Sequence, residues 1–316
     1  MRVAAPPRSF RATSPRPRAG VLPPVLACAV LAALAAPAAA QRPPTAVPCP
    51  QCIEVPSWVG QFTVLAGNAA LGALSAGILQ ELRGGSFRDG FTRGAAGGAV
   101  VYAGKRLAVQ EFDGSGLLGR QVAAVGSSMV RNAAEARPAL ARLWLPVGPV
   151  QLTWDRQAEE GSGVHARLDV LAAATLAWAA AEPQLELDWG RTLSAGAPVF
   201  GVEEMLMRGP GDDFDTTGME VSGTILLSDI ELFGREYRRR VFAHERVHVL
   251  QTDFFARAWT APLMEWALEE IPGGRHVGRF LDFDMADVLI TALEIAAFKS
   301  YEGRPWELEA EWLARR

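Results

Sequence analysis

Histidine and cysteine are scarce in this chain, with 4 His and 3 Cys among 316 residues. No second cysteine pair exists to complete a zinc ribbon. A basic excess is also missing. Lys and Arg total 31 against 35 Asp and Glu, a net charge of −4, so the chain offers no basic face for nucleic acid. Acidic residues are absent before Glu54, and residues 56–80 carry no charge at all. With 49% hydrophobic residues there is material for one or two packed domains.

The acid-free N-terminus carries Arg2, Arg8, Arg11, Arg16 and Arg18, then an apolar run over 21–36 and the triplet Ala38-Ala39-Ala40. That order predicts a secretory signal peptide over 1–40, cut before Gln41. The run is too short, and too interrupted by Pro23 and Pro24, for a membrane anchor. The protein is therefore expected to be exported to the periplasm, the cell envelope or the exterior. Removing the leader leaves a more acidic chain with two cysteines, Cys49 and Cys52. In an oxidising compartment this C-x-x-C pair is expected to form a local disulfide. A redox site or half of a zinc ribbon are the alternatives, but no strand–helix unit follows as a redox site requires.

Residues 41–138 read as a Gly/Ala-rich helical region. The uncharged stretch 56–80 is long enough to cross a bilayer as a helix. Gly67, Gly72 and Gly77, with Ala66, Ala69 and Ala73, provide small faces for close helix contact. A second segment covers 94–104, after a polar connection at 83–90, and a third covers 117–130, interrupted by Arg120. This glycine-zipper pattern has two readings. One is membrane contact and self-association through residues 56–130. The other is a soluble helical subdomain, which Gln61, Asn68 and Gln80 favour.

The pattern changes at 139. Residues 143–154 read as two strands around a Pro/Gly turn. Alternation over 164–170 and 185–189 reads as further half-buried antiparallel strands. His165 falls on a polar face and is not counted as a ligand. Residues 209–218, rich in Asp and Gly, read as a loop, and Asp212, Asp213 and Asp215 lack EF-hand spacing. A short strand over 223–229 leads into a helix over 236–255. A short helix and loop follow over 261–278, with His276 in the loop. Next come an apolar helix over 285–298, with Asp284 as its cap and Asp287 in its first turn, and a last helix opened by Pro305. The fold class is α+β.

The 236–255 helix contains His244-Glu245-Arg246-Val247-His248, an H-E-x-x-H pattern. Residues four apart share a helix face, so His244 and His248 can grip one ion while Glu245 lies beside the water that completes its coordination. An amphipathic helix with two surface histidines is the bland alternative. The last helix reads Glu307-Leu308-Glu309-Ala310-Glu311. With it the chain resembles the gluzincin metallopeptidases. It is most similar to members whose second motif is E-x-x-A-D, such as the membrane-associated prenyl-protein and heat-shock metallopeptidases. The resemblance covers roughly the last hundred residues.

It implies a zincin-like metallopeptidase domain over 139–316, built from a small antiparallel sheet and a metal-binding helix. It also implies Zn²⁺ held by His244, His248 and Glu307, and Glu245 as general base. Glu311 then stands behind a zinc-bound imidazole, where the family carries Asp. Glu309 is the rival ligand. It points roughly 160° away from Glu307 on a helix, so only one of the two can serve the metal, and the other is expected to be indifferent to it.

The function expected from these residues is zinc-dependent hydrolysis of a peptide or protein in the cell envelope. The metal activates water, and Glu245 takes the water's proton and passes it to the leaving amine. Tyr237 and Tyr301 are candidates for oxyanion support, as is His276, which reads otherwise as an exposed loop residue. The alternative is a non-catalytic envelope protein with a structural or vestigial zinc site, in which the glycine-rich region does the work. A structural site closes its fourth position with a protein ligand; no Cys and no obvious fourth ligand accompany the motif, which favours catalysis.

Intact-mass measurement of protein recovered from the cell envelope is expected to show a chain beginning at Gln41. Under non-reducing conditions it should also be two hydrogens lighter, from a Cys49–Cys52 disulfide. Retained leader residues, or two free thiols, overturn the respective expectation.

Overall fold

Glycine decides how the first three helices meet. They are α1 (Ser57–Leu82), α2 (Phe87–Ala108) and α3 (Ser115–Ala134). A Cβ on Gly98 of α2 would lie 2.1 Å from the Asn68 carbonyl oxygen of α1, and one on Gly94 would lie 2.2 Å from that of Gly72. The α1 and α2 backbones therefore touch, which only glycine permits. The Ser86 hydroxyl accepts from the Asp89 N–H at 3.3 Å and starts α2 at Phe87, so the expected connection over 83–90 is shorter than its polarity implies. Residues 58–82 are the one helix, among the described residues, long and apolar enough to cross a membrane. The structure is a computed structural model that describes residues 57–158, 163–202, 207–208, 215–228, 234–297 and 304–315. The leader, Cys49, Cys52, Asp212, Asp213 and Tyr301 lie outside these residues.

The chain then builds a mixed α+β layer on the helices. β1 (Arg142–Val147) and β2 (Val150–Asp155) form an antiparallel hairpin closed by Gly148 at φ 56°. β3 (Val164–Asp169) continues it, and β10 (Leu281–Asp282) adds in parallel at the far edge. Trp144 of β1 is fully buried and lies under the Arg131 guanidinium of α3, 4.1 Å from its ring centroid. Asp169 ends β3 and caps α4 (Val170–Ala181) by accepting from the Ala172 N–H at 2.9 Å. Apart from Val170, α4 occupies a stretch that the sequence pattern leaves unassigned between two expected strands. Its Ala-rich sequence favours helix once a cap is present, and strand alternation does not register it. Asp188 makes a correction. Read as a polar strand position, it caps α5 (Trp189–Ala195) instead, leaving only β4 (Glu186–Leu187) as strand.

A second sheet has the order β4, β5 (Val199–Val202), β9 (Thr224–Ser228) and β8 (Gly218–Val221). β5 and β9 are parallel, so both four-stranded sheets are mixed and the expectation of a small antiparallel sheet is corrected. Strand order arises from non-local pairing, which local periodicity does not encode. β6 (Met207–Arg208) and β7 (Asp215–Thr216) pair with each other. The central strands are buried on both faces. Phe200 and Leu226 meet Ala179 of α4, while Val199, Ile225 and Leu227 join the main core. α6 (Arg235–Phe255) supplies Val249, Leu250 and Phe254 to that core, and α1–α3 supply Ala76, Val101 and Val130. One core thus runs across the change of composition at 139.

α6 passes through a π-helical turn (Ala256–Thr260) into α7 (Ala261–Glu270), followed by the single turn α8 (Gly274–Val277). α9 (Ala286–Ala297) is started by Asp284, which accepts from the Ala286 N–H at 2.8 Å, and packs Ala286 and Ile290 on Ala256. α10 (Pro305–Ala314) returns to α6. Glu265 of α7 receives both Arg131 of α3 and Arg167 of β3, tying three elements together.

Burial by itself raises the Glu265 carboxyl, but Arg131 and Arg167 outweigh it and hold it down to about 2, against 4.5 for a free side chain. A depressed carboxylate contributes stability above the unfolded value and loses it as the pH falls toward the folded one. Glu265→Gln is expected to reduce the unfolding free energy at pH 7 by about 2 kcal/mol, allowing for partial solvent exposure. The difference from wild type should shrink as the pH falls from 4.5 toward 2. Denaturant titrations across that range check this; a pH-independent difference contradicts it.

Candidate functional site

Two helices frame the site. α6 has no proline or glycine in its interior and carries Glu236 in its first turn, where the helix dipole favours an anion. It presents His244 and His248 one turn apart. Pro305 occupies the first turn of α10 and places Glu307 in that same turn. The helices meet through small residues. Ala243 and Val247 of α6 pack on Ala310, Leu313 and Ala314 of α10, with Val109 completing the cluster. Two alanines at the crossing let the polar faces beside them converge.

Three acceptor atoms share one point. His244 Nε2 lies 2.9 Å from His248 Nε2, and Glu307 Oε2 lies 3.1 Å from the first and 3.4 Å from the second. The side chains of His244, His248 and Glu307 are 17%, 15% and 13% exposed, so all three are partly buried and still reach solvent. Among the described residues this is the one group of three His, Cys, Asp or Glu close enough to hold a metal ion. Burial opposes a charged His248, but the Glu307 carboxylate overrides it and pushes the imidazole up to about 10. The carboxylate that raises His248 makes the point where the three atoms meet attractive to a cation.

Glu245 lies one residue along α6 and is 5% exposed. Burial raises its carboxyl, the two histidines lower it, and the Glu220 backbone N–H of β8 donates to it. Gly218 of β8 makes the room: a Cβ there would fall 2.7 Å from Glu245 Oε1 and 2.6 Å from Val241 Cγ1. Glu220 itself is pushed well above the usual carboxylate range by burial and by Asp287. Its oxygens accept from the Gly223 N–H at 2.6 Å and from the Thr252 hydroxyl at 3.3 Å.

The remaining candidates separate clearly. Glu311 Oε2 stands 3.7 Å from His244 Nδ1 and also pairs with Arg315 at 2.6 Å. Glu309 points the other way, into α1 and α2, where Lys105 Nζ approaches its Oε2 to 2.9 Å. Tyr237 OH meets the Thr217 hydroxyl at 3.2 Å and is not among the converging atoms. His165 is exposed on β3. His276 is exposed on α8 and stacks edge-on against Phe280, with centroids 5.6 Å apart.

The sequence does not mark Asn68, Lys105, Gly218 or Gln251 as part of the site, although Gln251 falls in the helical stripe of His244 and His248 and Asn68 reads as a polar position in an apolar helix. Gln251 has a signal, being three residues beyond His248 on the same helix face. Lys105 follows directly on the apolar segment 94–104, where a charge reads as the end of a helix and not as part of its core. Comparison with protein-family models, curated proteins and solved structures returned no match.

Gly218→Val is expected to destabilise the metal-free protein by about 1–3 kcal/mol through overpacking against Glu245 and Val241. A lowered denaturation midpoint with an unchanged slope checks this; an unchanged midpoint contradicts the contact.

Proposed function

We propose that the protein is a zinc-dependent peptide hydrolase of the gluzincin kind, acting in the cell envelope, with a zincin-like arrangement around α6. The observation that carries the reading is the convergence of His244 Nε2, His248 Nε2 and Glu307 Oε2 next to a buried Glu245. Two nitrogens and a carboxylate oxygen are a common catalytic zinc set. Tetrahedral ligands at about 2.1 Å from an ion stand about 3.4 Å from one another, close to the 2.9, 3.1 and 3.4 Å separations here. His244, His248 and Glu307 would hold the metal, and Glu311 would steady His244 from behind.

A bound zinc ion supplies Lewis acidity, lowering the pKa of a water and polarising a peptide carbonyl. Glu245 takes the proton from the attacking water and returns it to the leaving amine. Its burial helps, because a carboxylate raised above its ordinary value both accepts and releases a proton more evenly near neutral pH. The three ligands reach solvent, and no fourth protein ligand is among the converging atoms of the described residues.

Glu245→Gln removes the base and leaves the ligands. The variant is expected to bind zinc with wild-type stoichiometry by elemental analysis. Its peptide hydrolysis should fall by about 10²–10⁴-fold in a mass-spectrometric library screen. Undiminished hydrolysis by the pure variant would sink the assigned role, and a wild-type protein without metal would sink the reading itself.

A further inference from the structure

Behind His248 runs a chain of hydrogen bonds that leaves the metal helix and ends in the glycine-packed helices. His248 Nδ1 lies 2.7 Å from Gln251 Oε1. Gln251 Nε2 donates to the Trp306 carbonyl at 3.0 Å and to Glu309 Oε2 at 2.8 Å. Glu309 also accepts from Lys105 Nζ at 3.0 and 2.9 Å through its two oxygens, and from Asn68 Nδ2 at 2.7 Å. Lys105 in turn donates to Asn68 Oδ1 at 2.9 Å. Lys105 is 1% exposed, Gln251 2% and Asn68 3%.

The direction of this chain is determined by donor chemistry. Two acceptors face one end of the Gln251 amide, so that end is the nitrogen. Its oxygen is then turned to His248 Nδ1. A carbonyl oxygen only accepts, so Nδ1 carries the hydrogen. In the metal-bound protein Nε2 is then the nitrogen whose lone pair is available, and Nε2 faces His244 and Glu307. Lys105 and Asn68 hold Glu309 as an acceptor of three donor side chains, and that acceptor fixes the amide.

We propose that Lys105, Asn68 and Glu309 act through Gln251 as positioning residues for His248, so that the glycine-packed helices set the metal affinity of the site. The inference rests on the metal reading of His244, His248 and Glu307. It also revises the expectation that Glu309, if not a ligand, is indifferent to the metal. Glu309 acts on the second histidine from the far side of the helix.

Zinc affinity of the full chain, measured by competition with a chromophoric chelator, tests it. Gln251→Leu and Glu309→Ala should each weaken zinc binding by about 10- to 100-fold, the loss typical for groups that orient a ligand. The double variant Lys105→Met/Glu309→Gln keeps a neutral acceptor for the Gln251 amide and strands no charge. It should stay within about threefold of wild type. In the zinc-loaded wild type, proton NMR of ¹⁵N-histidine-labelled protein should show a slowly exchanging His248 Nδ1–H. That proton should persist in the double variant and be lost to exchange in Gln251→Leu. Circular dichroism on the metal-free proteins confirms that each is folded. Wild-type affinity in folded Gln251→Leu overturns the proposal and leaves the metal reading intact. A folded double variant as weak as Glu309→Ala does the same. A wild-type chain that binds no zinc overturns both.

Discussion

Lys105 has 1% of its side chain exposed and sits in a layer of helices packed through glycine. Desolvation there works against its charge, and the Glu309 carboxylate supplies the compensating anion. A buried pair of this sort adds little net stability, yet removing either partner costs about 3–5 kcal/mol because the survivor is stranded. The pair is therefore a docking constraint. α10 can settle only where Glu309 reaches Lys105, and α6 only where Gln251 reaches Glu309. Once both conditions hold, Glu307 has one direction left, toward the two imidazoles.

The converging atoms depend on two further choices of residue size. Ala243 and Ala310 let α6 and α10 approach closely enough for a short carboxylate to reach both rings. Gly218 lets β8 lie against Glu245 and hold it by a backbone N–H. In the metal-free protein the Glu307 carboxylate favours a charged His248 against the burial that opposes it.

Legibility in the sequence follows how local each feature is. The i, i+4 spacing of His244 and His248 is contained in one helical turn, and α6 runs within one residue of the span that its periodicity predicts. The hairpin of β1 and β2, the proline start of α10 and the Asp284 cap are equally local signals. The register of Glu307 against Glu309 is half local. Helix geometry says that the two diverge, but only the docking of α10 decides which faces the histidines. Lys105 and Asn68 are not legible, because their burial depends on the separation of helix axes that glycine contacts set across the chain. Parallel pairing of β5 with β9 and of β3 with β10 is likewise absent from any local pattern. α4 was hidden by its composition, since an alanine run without charge gives neither a helical nor a strand period.

Chain order adds a temporal consequence. Synthesis is vectorial, and 63 residues separate His244 from Glu307. Until the ribosome has passed that distance, a nascent chain carries the imidazole pair without its carboxylate and without the Glu309 anchor. Such a half-made cluster has two neutral nitrogen donors and no anionic one, and metal affinity grows with the number and charge of ligands. On the proposed reading, hydrolytic competence cannot precede completion of the fold, and the growing polypeptide is shielded from its own chemistry by the order in which its parts are made.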